Sequence, residues 1–280
     1  MSSDEKDDLL KLVNASGFLF QLRVEDEISK TLSSRGNTVI TKEHKWKDEA
    51  SGNEGFIDLV LPKGTNGKMV IECKRVIDAT WIFLAPKEAT LTKRANVLWS
   101  YKFEDGNQVA AWDELKLKPE SMESFFCIIR GQGEKDQPML ERISSSLLQS
   151  TECLAAEEQH YPRLAGREGI RCYFPVIVTT AKLKLCKCDY SKVDLSTGQI
   201  IDAEFEDVPF LRFTKSMSTR LSSSRPPKNI SESAREGQRT IFVINAENIS
   251  TILSMDWDFE EPKFSNEFWP WELPFWKTVA

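Results

Sequence analysis

The sequence predicts an α/β protein: a mixed central sheet flanked by helices, with further strands elaborating the C-terminal half. Three observations predict it. Two apolar runs, Phe56 to Leu61 and Met69 to Val76, meet across the turn-forming stretch Lys63-Gly64-Thr65-Asn66-Gly67-Lys68, which is the signal of a β-hairpin. Apolar residues recur at helical spacing before it, from Leu9 to Leu32, and again at Leu140, Ile143, Leu147, Leu148 and Leu154. Beyond Tyr173, short apolar strands separated by turns alternate with one more helix, a pattern that needs a sheet as its spine.

The chain has 280 residues and no stretch that divides it cleanly. Residues 1–255 are therefore expected to form one elaborated domain, and residues 256–280 a Trp/Pro-rich segment packed on it or on a partner. The net charge of -6 argues against a general nucleic-acid coat protein. It leaves room for an enzyme whose positive field is local. Six cysteines occur without paired Cys-x-x-Cys spacing, so reduced thiols in the core are expected rather than a zinc site. No signal-peptide core or membrane-length apolar run is present, and a soluble cytoplasmic protein with no membrane association is the expectation.

Taken in order, Leu9, Leu12, Val13, Phe18, Leu22, Ile28 and Leu32 trace two helices separated at Asn14-Ala15-Ser16-Gly17, the second stopping at Gly36. Glu25 falls on the apolar stripe of the second helix, whereas Glu27 does not. Thr38 to Trp46 reads as a first strand with His44 near its end, where a lone histidine is ordinarily a surface side chain. The hairpin follows. On its second strand Glu72 and Lys74 must share one face while Ile71 and Cys73 share the other. Two charges on an otherwise apolar strand lose hydration unless something binds them. Asp58, on the neighbouring strand, comes alongside Glu72. Two carboxylates and a backbone carbonyl, that of Cys73, make an oxygen-donor set suited to Mg²⁺, with Mn²⁺ as a substitute, and Lys74 supplies positive charge where a phosphodiester gains negative charge.

Asp58, a hairpin turn, and Glu72-Cys73-Lys74 together resemble the signature of the PD-(D/E)xK superfamily, the restriction-endonuclease-like nucleases. The proline that usually precedes the Asp is Ile57 here, a departure that leaves the ligands untouched. Glu25-x-x-Ile28-x-x-x-Leu32-x-x-x-Gly36 looks like the first helix of several such nucleases, where a glutamate points at the metals. The resemblance implies a restriction-endonuclease-like fold, metal held by Glu25, Asp58, Glu72 and the Cys73 carbonyl, and Glu25, Asp58, Glu72 and Lys74 as the catalytic set. Glu27 is the reserve for Glu25, and a solvated helix glutamate is the competing reading of both. No Gln-x-x-x-Tyr element follows the hairpin, which disfavours the RecB-like branch. The implied activity is Mg²⁺-dependent hydrolysis of nucleic acid, foremost by a DNA endonuclease of restriction or defence type. A catalytically inactive nucleic-acid-binding or scaffold subunit with the same fold is the alternative.

Further on, Trp81 to Pro86 is an apolar segment stopped by proline, and Lys87, Lys93 and Arg94 add to a locally basic stretch of the kind a phosphate backbone needs. Trp99, Tyr101, Phe103 and Trp112 suit base stacking but at this density suit packing better. Phe125 to Ile129 reads as a strand, Gly131-Gln132-Gly133 as an ordinary loop, and Met139 to Glu158 as a helix. Tyr173 to Leu185 reads as one long strand, followed by a hairpin turning at Ser196-Thr197-Gly198, strands at Phe210 to Phe213 and Thr240 to Asn245, and a helix at Glu247 to Met255. Ser216 to Gln238 reads as a flexible loop, locally basic through Arg220, Arg225, Lys228 and Arg235. In the tail, Trp257, Trp269, Trp271 and Trp276 are interleaved with Pro262, Pro270 and Pro274, a spacing that neither helix nor central strand accommodates. It suits indole packing on the domain, or docking of a homodimer or protein partner.

Overall fold

The computed structural model describes residues 3–33, 40–64, 66–102, 108–129, 139–158 and 169–260. Helices α1 (Ser3–Ala15) and α2 (Phe18–Ser33) open the chain, joined at Gly17, whose φ of 79° lies in the left-handed region where a side chain would be strained. Strands β1 (Thr41–Lys47), β2 (Glu54–Lys63) and β3 (Gly67–Lys74) follow as an antiparallel meander. The β2–β3 turn needs its glycines: Gly64 has a φ of 64°, and a Cβ on Gly67 would lie 2.4 Å from the Lys63 carbonyl oxygen.

Next come β4 (Thr80–Pro86), the long hairpin β5 (Thr92–Lys102) and β6 (Gln108–Ser121), the short strands β7 (Glu123–Ser124) and β8 (Cys127–Ile129), and helix α3 (Met139–Glu158). Strands β9 (Gly169–Thr179), β10 (Lys182–Cys188), β11 (Glu204–Asp207) and β12 (Phe210–Ser216) precede α4 (Ile230–Glu236), β13 (Gln238–Asn245) and α5 (Ile249–Ser254).

The described strands build a mixed nine-stranded sheet in the order β1-β2-β3-β9-β13-β12-β7. Strand β9 is its axis: β3 and β13 lie parallel to it, while β5 pairs antiparallel with its first half and carries β6. A second sheet, β11-β10-β4-β8, has four strands. The mixed α/β class expected from the sequence is therefore present as a large sheet with helices on its faces. Two cores result. On one face α3 and the second sheet cover Val60, Val70, Ile177 and Val243, with Trp81, Phe83 and Leu183 reaching in from the second sheet. On the other, α2 through Val24, Ile28 and Leu32 and α5 through Ile249, Ile252 and Leu253 cover Leu59, Ile71, Val176 and Phe242.

Several expectations are corrected. Tyr173 to Leu185 is two strands, not one, because the chain leaves the main sheet after Thr179 and enters the second sheet at Lys182. The segment Thr92 to Ser121, seen in the sequence only as scattered aromatics and basic residues, is the β5–β6 hairpin; Trp99 and Trp112 are buried and so belong to packing. The Ser216 to Gln238 stretch is tethered along its length: the backbone N–H groups of Arg220 and Leu221 donate to the buried Glu152 carboxylate, Arg220 pairs with Asp48 at 2.6 Å, Ser223 and Ser224 bond to Asp113, and α4 closes it. Of the tail, Trp257 packs between Phe174 and Phe242 and donates its indole N–H to the Ile252 carbonyl. Gly36, Phe103, Gly131-Gln132-Gly133, Trp269, Trp271 and Trp276 lie outside the described residues. All six cysteines are free thiols. Among the described residues, no helix is long and apolar enough to cross a membrane.

Candidate functional site

Asp58 stands one residue beyond the last β2–β3 ladder pair, Leu59 with Ile71, and the register carried one step further sets it opposite Glu72. Its carboxylate accepts the backbone N–H of Cys73 at 2.7 Å. The strand is irregular at this point. Ile57 packs under α3 and Leu59 under α2, so the two-residue alternation breaks at Asp58. Opposite it on β1, between the pairs Lys42 with Leu59 and His44 with Ile57, lies Glu43, whose φ of 46° is left-handed for a residue with a side chain. Such irregularities re-aim a side chain at a strand end and cluster at functional sites.

An open cleft of about 290 Å³ lies above these residues. Its walls are the α1–α2 corner, Ala15 to Phe18, with Gln21 of α2 on one side and Asp58, Glu72, Cys73, Lys74 and Arg75 on the other. Gln21 ties the parts together: its amide donates to the Glu43 carboxylate and, at 3.4 Å, to the Asp58 carbonyl.

The electrostatics follow from burial and like charge. Loss of hydration raises the Asp58 carboxyl above its usual range; the Cys73 N–H and the Lys74 charge act against this and Glu43 adds to it. Glu72 is pushed up to about 7, first by burial, then by the Asp58 carboxylate, with Lys74 opposing and Glu43 reinforcing. The Cys73 thiol is raised by the same burial and the same three acids and is held as a neutral core group. Two facing carboxylates that resist ionising together are a place where a cation would be welcome. Among the described residues, however, no three His, Cys, Asp or Glu side chains converge as a ready metal cage.

The structure thus gathers Asp58, Glu72, Cys73 and Lys74 at one cleft, and Glu25 is not among its lining residues. Glu25 pairs with Lys42 at 2.6 Å. The reserve residue Glu27 pairs with Arg23 at 2.7 Å and accepts from Ser250 on α5. Of α2, Phe18 and Gln21 reach the cleft, and the polar one, Gln21, stands one turn before Glu25 at the i−4 position that shares its helix face. That spacing was available in the sequence. Glu43 was not, since nothing in its neighbours announces a left-handed residue inside a strand. His44, read as a surface residue, is partly buried and bonds Glu157 of α3 at 2.7 Å.

Neither family models, curated proteins nor solved structures match this chain.

Proposed function

We propose that this chain is a Mg²⁺-dependent nuclease of restriction-endonuclease-like fold that hydrolyses phosphodiester bonds in nucleic acid, foremost a DNA endonuclease of restriction or defence type. The observation that carries the reading is the placement of Asp58 opposite Glu72, one step beyond the β2–β3 ladder and beside Lys74, in an open cleft. The donor set fits the ion. Mg²⁺ keeps several waters and takes one or two carboxylates together with substrate phosphate, so a complete protein cage is not required. Asp58, Glu72 and the Cys73 carbonyl would hold it. Bound there, it would supply a Lewis acid for the phosphoryl oxygen and a water of lowered pKa.

The chain's own groups do the rest. Lys74 places a positive charge beside the two acids, where the phosphate gains negative charge on attack. Arg75, also on the cleft wall, offers a second cation for the phosphate backbone. The Cys73 N–H holds one Asp58 oxygen, which fixes the carboxylate's orientation and leaves its other oxygen for a ligand. Gln21 sets the spacing of β1, β2 and α2 around the acids.

The test is cleavage of supercoiled and linear DNA, and of RNA, with Mg²⁺ or Mn²⁺. Lys74→Ala is expected to lower the rate by about 10²–10³-fold, the range for removing one transition-state contact. In parallel, Mg²⁺ should raise the melting temperature of the native protein and leave that of Asp58→Asn unmoved. Activity that survives Lys74→Ala, or absence of activity with either metal on every substrate, defeats the reading.

A second reading, a non-catalytic nucleic-acid-binding or scaffold subunit, is favoured by one observation: the expected helix ligand Glu25 is engaged by Lys42. It predicts nucleic-acid binding without cleavage and without a Mg²⁺-dependent melting shift.

A further inference from the structure

The cleft wall that faces the two acids carries a ring. Among the described residues that line the cleft, Phe18 is the one aromatic, and it is 65% exposed. The core does not use it. Helix α2 buries Val24, Ile28 and Leu32, whereas Phe18 lies on the helix face of Gln21, three residues on, whose amide reaches the Asp58 carbonyl. Gly17 sets it there, because its left-handed φ of 79° turns the chain out of α1 and starts α2 at Phe18. A lone exposed apolar residue needs no explanation. Phe18 differs because it shares its cleft with Lys74 and Arg75. An aromatic face and cations in one groove are the two parts from which single-strand sites are made: bases stack on the ring whatever their identity, and the cations follow the phosphates.

We infer that the cleft takes an unpaired DNA strand, with one base stacked on Phe18 and the adjoining phosphate turned to Lys74 and Arg75. The inference rests on the nuclease reading for the use of the site and adds its substrate class. Space and charge both favour one strand over two. A volume of about 290 Å³ is at the lower end of the about 300–1,000 Å³ of sites that hold one small ligand, room for one nucleotide and not for a base pair. An intact duplex that brings a phosphate to the acids takes the α1–α2 corner into its major groove, about 12 Å wide and walled by phosphates.

That groove is wide enough for a helix, so charge decides. Helix α1 ends at the cleft wall with none of its residues buried, and it carries Asp4, Glu5, Asp7 and Asp8 against Lys6 and Lys11. At about 1.5 Å per residue, Asp7 and Asp8 stand about 10–12 Å along the helix from Ala15, the distance of the far groove wall. A second strand would set its phosphates against them. A single strand passing between Phe18 and Lys74 leaves these acids in water.

The test is fluorescence anisotropy of a labelled DNA strand of about 12 nucleotides, against the same sequence as a duplex, with the full chain in EDTA at low salt so that nothing is cut. The single strand should bind at least about tenfold tighter, the worth of one stacked base. Phe18→Ala should weaken strand binding by about 5–150-fold and leave duplex binding and the melting temperature unchanged, since the side chain is already exposed. Phe18→Trp should match or exceed the native protein, and Phe18→Leu, which is apolar but has no ring, should bind like Phe18→Ala. A duplex bound as tightly as the strand overturns the inference. So does absence of strand binding, or strand binding that survives Phe18→Ala or Phe18→Leu. Failure of the nuclease reading looks different: the strand then binds through Phe18 but is not cut with Mg²⁺ or Mn²⁺, whereas cleavage confined to duplex and indifferent to Phe18 spares that reading and sinks this one.

Discussion

Strand β3 carries a charged cluster near each end, and the two are built on opposite principles. Near its start, Lys68 pairs with Glu158, which is 3% exposed and also accepts the Tyr173 hydroxyl at 2.9 Å. The lysine and the phenol satisfy the Glu158 oxygens, while burial and then the nearby Arg171 hold Lys68 down to about 8. Near its end, Asp58 and Glu72 are two carboxyl groups facing each other. The lysine beside them, Lys74, acts through its charge on both acids, which nevertheless remain raised. The same strand therefore shows what the fold does when it has only a structural charge to bury. The second cluster departs from that pattern where the alternation of β2 breaks at Asp58 and a cleft opens, which is why the proposed function rests on the second and stability on the first.

The largest expected effect lies in the structural cluster. Lys68→Met keeps most of the stem but strands the Glu158 carboxylate, and breaking a buried pair costs about 3–5 kcal/mol. Chemical denaturation should register this as a lower midpoint with an unchanged slope. A loss below about 1 kcal/mol would mean that the pair is not needed and the contrast with the cleft is empty.

The cleft should respond in the opposite direction. Glu72 has a folded-state pKa near 7 against its usual 4.5, so the native state holds this proton more tightly than the unfolded chain. Between pH 4.5 and 7 the unfolded state has the fewer protons bound, and stability from this group falls as the pH rises, levelling off above 7. Glu72→Gln should therefore stabilise the metal-free protein at pH 8 by about 1–3 kcal/mol, at 1.36 kcal/mol per unit, and have little effect at pH 4. Denaturation curves at the two pH values check this; destabilisation at pH 8 would show that the carboxylate is already satisfied.

The smallest effect is at Gln21. Gln21→Ala removes the amide that joins Glu43 to the Asp58 carbonyl, and should cost no more than about 1 kcal/mol in stability, the net worth of an ordinary hydrogen bond. Mg²⁺-dependent melting shifts should shrink with it, because the acids lose their spacer. An unchanged shift would confine Gln21 to packing.

Particular residues show how far the sequence could be read. The α1–α2 break at Gly17, the β2–β3 hairpin and α3 were legible because glycine chemistry and apolar period are local properties. Asp58, Glu72 and Lys74 were legible for the same reason: a hairpin and a period of two place them on adjoining strands with no further information. The β5–β6 hairpin was not, although Val97, Trp99 and Tyr101 keep a period of two, since β5 owes its place to β9, which lies far along the chain. The Ser216 to Gln238 stretch looked free because its anchors, Asp48, Asp113 and Glu152, come from three distant segments. Glu25 looked like the helix ligand because periodicity gives a stripe and not a height on the helix. Lys42, on a strand that approaches from the side, takes it up, and Gln21 sits over the cleft.

What the sequence determined by itself was the α/β class and the pairing of two carboxylates and a lysine on neighbouring strands, since both follow from turn chemistry and side-chain alternation within a few residues. Only the tertiary structure decided which helix residue meets them, that Glu43 turns left-handed opposite Asp58, and that α1 is left uncovered. Each of these depends on the distance and angle between elements far apart in the chain, and those are set by how the two cores close on the sheet.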